Sequence, residues 1–330
     1  MFSVVRTPLR VSLFGGGTDY PAYFQRHGGS VLGFAIDKYI YISALPLGSA
    51  TDYRYRLSYS RVEMANAPDA IEHPVVRALF CHYGWTQPLD LSAQSDLPAA
   101  SGLGSSSAFT VTLVNLLSHL QGVPRTRMEL AREAIHVEQV LLRENVGVQD
   151  QLHTCFGGIN RFDLREDCFG ITPINMSGRA LSVFTRSLVL VYTGIKRRAT
   201  DIVAEQIRNT AAKTLDAPLA DLARLVDEAQ AILECPGEPE RSAAEIARLL
   251  DQSWQIKKKL SSGITSSEIN DLYDLCRRHG ALGGKLCGAG GGGFLLMVVP
   301  PDRRAAFKAA IGAQRCIDFT IDFQGTTVLY

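Results

Sequence analysis

The sequence predicts an α+β fold in two domains. Three observations carry that expectation. The chain has 330 residues of which 46% are hydrophobic, which suits about two ordinary domains. Its first half carries strand-like text broken by turns, and its second half is dominated by helical text. The two kinds of text mix without the regular strand–helix–strand rhythm of a doubly wound sheet.

Residues 31–44, VLGFAIDKYIYISA, are rich in Val, Ile and Tyr and read as a strand. Residues 53–59, YRYRLSY, alternate aromatic or apolar with basic or polar side chains, a strand with one wet face. A helix is predicted over 106–120, after the glycines of SGLGSSS and before Gly122 and Pro124. The next opens on Thr126-x-x-Glu129, the spacing of a capping box, and runs toward Glu144. The loop-like stretch NMSGRAL precedes a strand at 188–192, so the domains are placed at 1–180 and 181–330. Helices dominate 201–278, notably 219–233 and 243–260, and Thr265-x-x-Glu268 offers a second capping box. A strand at 294–299, Pro300 and Pro301, a helix at 303–311 and strands at 316–323 and 326–329 complete the order.

The formal charge of +1, with 20% charged residues, does not point to nucleic acid held by bulk electrostatics. Seven cysteines (81, 155, 168, 235, 276, 287, 316) lie scattered, without C-x-x-C or Cys/His ligand spacing. Reduced thiols in a cytoplasm are the expectation. Arg6 and Arg10 interrupt the first ten residues, which therefore lack the apolar core of a signal peptide. No apolar run approaches the roughly 20 residues of a membrane span, and neither fixed repeats nor low-complexity tracts occur.

Three glycine-rich segments carry the chemistry. The stretch KLCGAGGGGFLLMVV, residues 285–299, contains Gly288 to Gly293 in the pattern G-x-G-x-x-G. That pattern binds a dinucleotide when it follows a strand and opens a helix. Here the glycines precede a strand, so an NAD enzyme is not indicated. Gly280, Gly284 and Lys285 fall one residue short of a P-loop, and Leu286 stands where the magnesium-binding Ser or Thr belongs. LPAASGLGSSSAF, residues 97–109, has the right order for a phosphate site. Glycines let backbone approach an anion, and free N–H groups at the helix start point at it. Serine hydroxyls add donors or a metal ligand, although an ordinary serine-capped helix would read similarly. The third segment, TPLRVSLFGGGTDY at 7–20, ends a strand in three glycines, with Thr18 and Asp19 as acceptors for hydroxyls.

Taken together and in this order, the three segments resemble the motifs of the GHMP kinases, the superfamily of galactokinase, homoserine kinase and mevalonate kinase. The resemblance implies two α+β domains with the site in the cleft between them. It implies ATP and Mg2+ as cofactors, with Ser101, Gly102, Leu103, Gly104, Ser105, Ser106 and Ser107 around the nucleotide phosphates. NVGVQDQLHTCFGG resembles the segment with the catalytic aspartate, making Asp150 the general base and Arg10 its partner. Ser106 and Glu138 resemble the magnesium ligands. Glu138 stands one residue further from Asp150 than in mevalonate kinases and adjoins an apolar helix stripe, where a carboxylate needs a cation.

HGGSVLGF, AIDKYIYI, GVQDQ, VYTGIKRRATDI and GALGGKLCGAGGGGFLL narrow the resemblance to the branch of bacterial heptose 7-phosphate kinases. That branch implies transfer of phosphate to the anomeric hydroxyl of a sugar phosphate, on a route to GDP-heptose and surface polysaccharide. Gly17, Thr18, Asp19, Arg197, Lys285 and Gly290 would then hold the substrate. Arg197, in the basic loop Lys196-Arg197-Arg198, suits bidentate contact with its phosphate. The implied partners are ATP and the sugar phosphate, with neither nucleic acid nor membrane, and a homodimer is compatible with the sequence. Two alternatives stay open. One is the same fold acting on L-fucose or another unphosphorylated sugar. The other is a sugar sensor that binds without turnover.

Overall fold

The computed structural model describes residues 2–99, 101–195, 200–234 and 237–330. Strand β1 (Ser3–Phe14) leads into helix α1 (Pro21–His27) and the long strand β2 (Gly29–Pro46). Strands β3 (Tyr55–Ser58) and β4 (Val62–Ala65), helix α2 (Pro74–His82) and strand β5 (Leu89–Ser95) follow. Next come helices α3 (Ser105–Leu120), α4 (Arg127–His136) and α5 (Gln149–Phe156), the hairpin β6 (Ile159–Leu164) and β7 (Phe169–Pro173), and helix α6 (Gly178–Ser187). The second half holds β8 (Leu188–Tyr192) and four helices, α7 (Thr200–Ala211), α8 (Asp216–Glu234), α9 (Pro239–Lys257) and α10 (Ser267–Arg278). Strands β9 (Gly283–Leu286) and β10 (Phe294–Val298), helix α11 (Arg304–Ile311) and the short strands β11 (Cys316–Ile317) and β12 (Thr327–Val328) close the chain.

Two sheets organise these elements. In the larger, β2 runs antiparallel to β1 over almost the whole of both strands, from Ser3 opposite Ala44 to Phe14 opposite Leu32. Along its other edge β2 divides its partners. Residues 40–46 pair with β5 and residues 29–34 pair with β6, so the sheet forks. The register of β1 shifts at Pro8, a residue that donates no ladder hydrogen bond. The smaller sheet has the order β11-β8-β10-β9 and is antiparallel throughout. Helices α3 and α5 pack on β1 and β2, while α9 lies along β9 and reaches β1. One continuous apolar cluster joins both halves, and in it Trp254 of α9 is fully buried.

The end of the chain returns to the first sheet, where β12 pairs with β1. The buried carboxylate of Asp322 holds this return. It accepts the N–H groups of Gln324 and Gly325 at 2.9 and 2.7 Å and the Tyr39 hydroxyl at 2.9 Å. The strand expected at 316–323 is therefore broken. Ile317 pairs with Leu190 in the small sheet and Ile321 bridges to Ile36 in the large one. A segment that changes sheets cannot keep one ladder.

Other expectations shift by local chemistry. Thr126 and Glu129 make both bonds of the capping box. The helix they open ends at His136 and gives way to a π-helical turn, Val137–Leu141, with Leu142 N–H donating to Val137 C=O at 2.9 Å. The second expected box moves by one residue. Ser266 caps α10 through the Ile269 N–H, and the Thr265 hydroxyl bonds Asn270 instead. NMSGRAL, expected as a loop, contains the start of α6. Ser177 accepts the Ala180 N–H and Phe184 provides the buried face.

His153 on α5 is wholly enclosed against Phe162, and neither ring nitrogen has a hydrogen-bond partner among the described residues. Burial, helped by the Arg10 charge, pushes its pKa down to about 3 from 6.5. The folded state thus favours the neutral ring. Its contribution is intact above pH 6.5 and is lost as pH falls from there toward 3. At pH 5 the loss amounts to about 2 kcal/mol, at roughly 1.4 kcal/mol per pH unit. Denaturant unfolding of the wild type and of His153→Leu at pH 7.5 and pH 5 should show their stability difference moving by that amount in favour of the variant. A difference independent of pH would contradict the assignment.

Candidate active site

Arg10 is the hub of the cleft. It sits near the end of β1 and is 4% exposed. Its Nε and Nη2 donate to the two carboxylate oxygens of Asp150 at 2.8 and 2.7 Å, a bidentate fork. Its Nη1 donates to the Gly102 carbonyl at 2.7 Å, and its backbone N–H to the Leu103 carbonyl at 3.0 Å. One side chain therefore fixes the first turn of α5 against the 97–109 loop. The Asp150 side chain keeps 26% exposure and lines an enclosed cavity of about 230 Å³.

The 97–109 loop lines that cavity with Gly102, Gly104 and Ser105 to Ser107. Gly104 stands at the N-terminus of α3 with φ +73°, and no side chain caps the helix. The first-turn N–H groups of this 16-residue helix thus face the cleft without a protein cap. The 285–299 glycines meet the same loop from the other half of the chain. A Cβ on Gly288 would lie 2.5 Å from the Gly102 Cα, and one on Gly102 would lie 2.7 Å from the Cys287 carbonyl oxygen. Both residues have φ near +70°, at +67° and +77°. Only glycine on both sides permits this contact of backbone with backbone.

The expected substrate residues divide. Gly17, Asp19 and Lys285 line the cavity. Asp19 is 2% exposed and accepts the Gly17 N–H at 2.9 Å and the Gln149 N–H at 3.4 Å. Burial pushes its pKa up, the Gly17 bond opposes that, and the Asp150 charge adds to it. Thr18 is a correction. It is fully buried, and its hydroxyl is spent on the Gly15 and Ser30 carbonyls and the Ser30 N–H, so it ties the glycine turn to β2 rather than meeting a ligand. Gly290 is another, because it packs on the Ile264 backbone while Gly288 and Ala289 line the cleft. Leu103 and Ser101 are buried behind the loop and do not reach the cavity. Arg197 and its basic loop lie outside the described residues.

Ser106 is exposed at the start of α3, but Glu138 does not pair with it. Glu138 is 1% exposed and accepts from the Ser107 hydroxyl at 2.9 Å and from the Gln151 amide. Its Oε1 has no hydrogen-bond partner among the described residues. Burial pushes its pKa up to about 7, against the hydrogen bonds from Ser107 and Gln151. A buried carboxylate with an unspent oxygen behind the serine tip of a helix fits a hard cation. Mg2+ commonly takes one or two protein oxygens and completes its shell with phosphates and water.

Two features escaped the sequence reading. Lys257, the last residue of α9, lines the cavity, and its ammonium donates to the Leu286 carbonyl at 3.0 Å and to the Gly288 carbonyl. In the run Lys257-Lys258-Lys259 it looks solvated. The signal was its position three residues after Trp254 and seven after Leu250, on the buried face of the helix. The second feature is a wider groove of about 1160 Å³ that shares Ser105 and Ser106 with the cavity. Its wall carries His73, stacked on Phe109 at 4.7 Å and met edge-on by Tyr59 at 4.8 Å. Burial lowers the His73 pKa, favouring the neutral ring. A flat, uncharged aromatic wall beside a phosphate loop suits a nucleobase.

Comparison with known proteins agrees with this geometry. The GHMP kinases N terminal domain matches residues 70–158 and the GHMP kinases C terminal domain matches residues 218–318, together more than half of the chain. The chain is 28% identical over 298 residues to the D-glycero-alpha-D-manno-heptose 7-phosphate kinase of Campylobacter jejuni, covering 86% of each. It is 26% identical over 326 residues to the L-fucokinase/L-fucose-1-P guanylyltransferase of Bacteroides fragilis, covering 86% of this chain and 33% of that protein. A crystal structure of a D-glycero-D-manno-heptose 1-phosphate kinase from Bacteroides thetaiotaomicron shares the fold, with a TM-score of 0.80 at 22% identity, over 100% of this chain and 99% of that one. Both halves of the family's fold are present in order around a single cleft, and the chain belongs to the GHMP kinases.

Proposed function

We propose that this protein transfers the terminal phosphoryl group of ATP to the anomeric hydroxyl of D-glycero-alpha-D-manno-heptose 7-phosphate, giving the 1,7-bisphosphate. Its place would be a route to GDP-heptose and surface polysaccharide. The observation that carries the reading is the Arg10 guanidinium, which binds both oxygens of Asp150 and the Gly102 carbonyl at once. It puts a carboxylate within one cavity of an uncapped helix N-terminus.

Phosphoryl transfer asks the protein mainly for positioning and charge stabilisation. The free N–H groups of α3 and the serine hydroxyls hold the β- and γ-phosphates. The Asp150 carboxylate accepts the hydroxyl proton as the new O–P bond forms and the bond from the γ-phosphorus to ADP breaks. Arg10 keeps the carboxylate in one orientation. Asp19 keeps the sugar segment against α5 and faces the cavity beside it. The stacked rings at His73 suit adenine. Glu138, bonded to Ser107 behind the serine tip of α3, would hold Mg2+, which would neutralise phosphate charge when bound. Similarity to the L-fucokinase part of a larger protein supports the alternative, a sugar without a phosphate of its own.

A coupled assay of ADP release with heptose 7-phosphate, fructose 6-phosphate, L-fucose and D-galactose tests the reading. Heptose 7-phosphate should give the highest kcat/KM, and Asp150→Asn should reduce turnover by at least about 10²-fold. Turnover highest on L-fucose would transfer the assignment to the alternative. Sugar binding without ADP release would make the protein a sensor.

Glu138→Gln removes the carboxylate and keeps the shape. It should raise the Mg2+ concentration needed for half-maximal activity by about tenfold or more, the scale of one charged ligand. Magnesium titrations of wild type and variant that superimpose would remove Glu138 from the metal site.

A further inference from the structure

The cleft contains two ammonium groups that neither sequence motif nor proposed mechanism uses fully. Lys285, on β9, is 3% exposed, and its Nζ donates to the Leu13 carbonyl at 2.8 Å. Lys257, at the end of α9, donates to the Leu286 and Gly288 carbonyls. Both line the cavity that holds Asp150 and the phosphate loop. Among the described residues all of these partners are neutral backbone oxygens. An ammonium has three donors. Lys257 therefore retains one unspent N–H and Lys285 retains two.

Among the described residues the surrounding charges compensate them only in part. Arg10 lies near both and directs its guanidinium to Asp150 and Gly102 with three of its five N–H groups. Asp19 is the carboxylate that acts on both lysines, and its bonds go to the backbone N–H groups of Gly17 and Gln149. Lys285 is buried and Lys257 half-buried, and cations gathered around one shared carboxylate are costly. Consistent with this, the pKa of Lys257 falls to about 7 and that of Lys285 to about 8, chiefly through burial. Evolution of a site with no anion to place there would favour apolar or neutral residues.

We propose that Lys257 and Lys285 form a clamp for a phosphoryl dianion inside the cleft. It is assembled from α9 and β9, and Lys257 also pins the glycine loop at Gly288. The inference rests on the phosphoryl-transfer reading and adds to it the pairing of Lys285, from the glycine-rich segment, with Lys257, which no motif contains. Two groups of this chemistry enter the cleft, the terminal phosphoryl of ATP and the phosphate that the sugar already carries. Lys257 bonds Gly288, which touches Gly102 of the phosphate loop, so the clamp adjoins the nucleotide side of the cavity.

Calorimetric binding to the full chain tests the clamp with two ligand pairs, ATP against ADP and heptose 7-phosphate against the unphosphorylated heptose. Lys257→Gln and Lys285→Gln should each weaken the phosphorylated member of one pair by about tenfold or more while leaving the other member within about twofold, the scale of one charge-assisted hydrogen bond. Loss confined to ATP assigns the clamp to the transferred group, and loss confined to heptose 7-phosphate assigns it to the substrate's own phosphate. Lys257→Arg, which keeps charge and donors, should recover part of the loss, and melting temperatures report whether each variant folds. Equal weakening of both members of each pair, or none, overturns the clamp. Failure of the kinase reading looks different, because the wild type itself would then release no ADP with any sugar.

Discussion

Backbone meets backbone where Gly102 and Gly288 touch, and the site depends on that contact. The two residues come from opposite halves of the chain and approach so closely that neither could carry a Cβ. Around the contact, the Gly102 carbonyl takes a bond from Arg10 and the Gly288 carbonyl takes one from Lys257. Each cation thereby fixes the place of one glycine loop relative to the carboxylates in the cleft. The glycines cost conformational entropy on folding, about 0.5–1 kcal/mol each. What that cost secures is a junction narrow enough for a phosphate to touch both loops. The same contact explains why the G-x-G-x-x-G text precedes a strand. Its role is close approach across a domain junction, and no helix N-terminus is needed behind it.

The sequence made the strongly periodic and well-punctuated parts legible. The helix after SGLGSSS and the strands around 31–44, 188–192 and 294–299 follow from apolar pattern and flanking glycine or proline, and each lies within a residue or two of its place at most ends. What stayed hidden has identifiable causes. β5, β6 and β7 carry mixed polarity, and β2 shares its edge between β5 and β6, so neither of those two gets a full-length ladder. The stretch 316–323 reads as one strand since each residue suits a strand, but its two ends belong to different sheets. No local pattern contains that information.

The same distinction governs the site. Arg10, Asp150, Asp19 and the serine-tipped helix were nameable because motif spacing ties chemistry to position, and the fold gathers them around one cavity. Thr18 shows the limit of that reasoning. A hydroxyl next to a carboxylate looks like a pair of ligand acceptors, yet one of the two must hold the turn that presents the other, and here the threonine does so. Ser106 and Ser107 show it again. Successive residues at a helix start point about 100° apart, so the hydroxyl facing the cleft and the hydroxyl facing Glu138 cannot be the same one.

Charge in the cleft follows a consistent division of labour. Each carboxylate is held by fixed donors, Asp150 by a guanidinium and Asp19 by backbone N–H groups. Among the described residues the ammonium groups of Lys257 and Lys285 are held by carbonyls alone. The negative groups of the cleft are thus satisfied, while among the described residues both ammonium groups keep N–H donors to spare. Such a cavity favours an anion, because an anion recovers the energy of keeping two cations together. The arrangement also limits what the rest of the site can be. Were the lysines neutralised by a resident carboxylate, an incoming phosphate would have to displace it and would gain far less than from donors already free. Preorganised positive charge beside an oriented carboxylate is what a reaction needs when it moves a dianion toward an oxygen that must lose its proton.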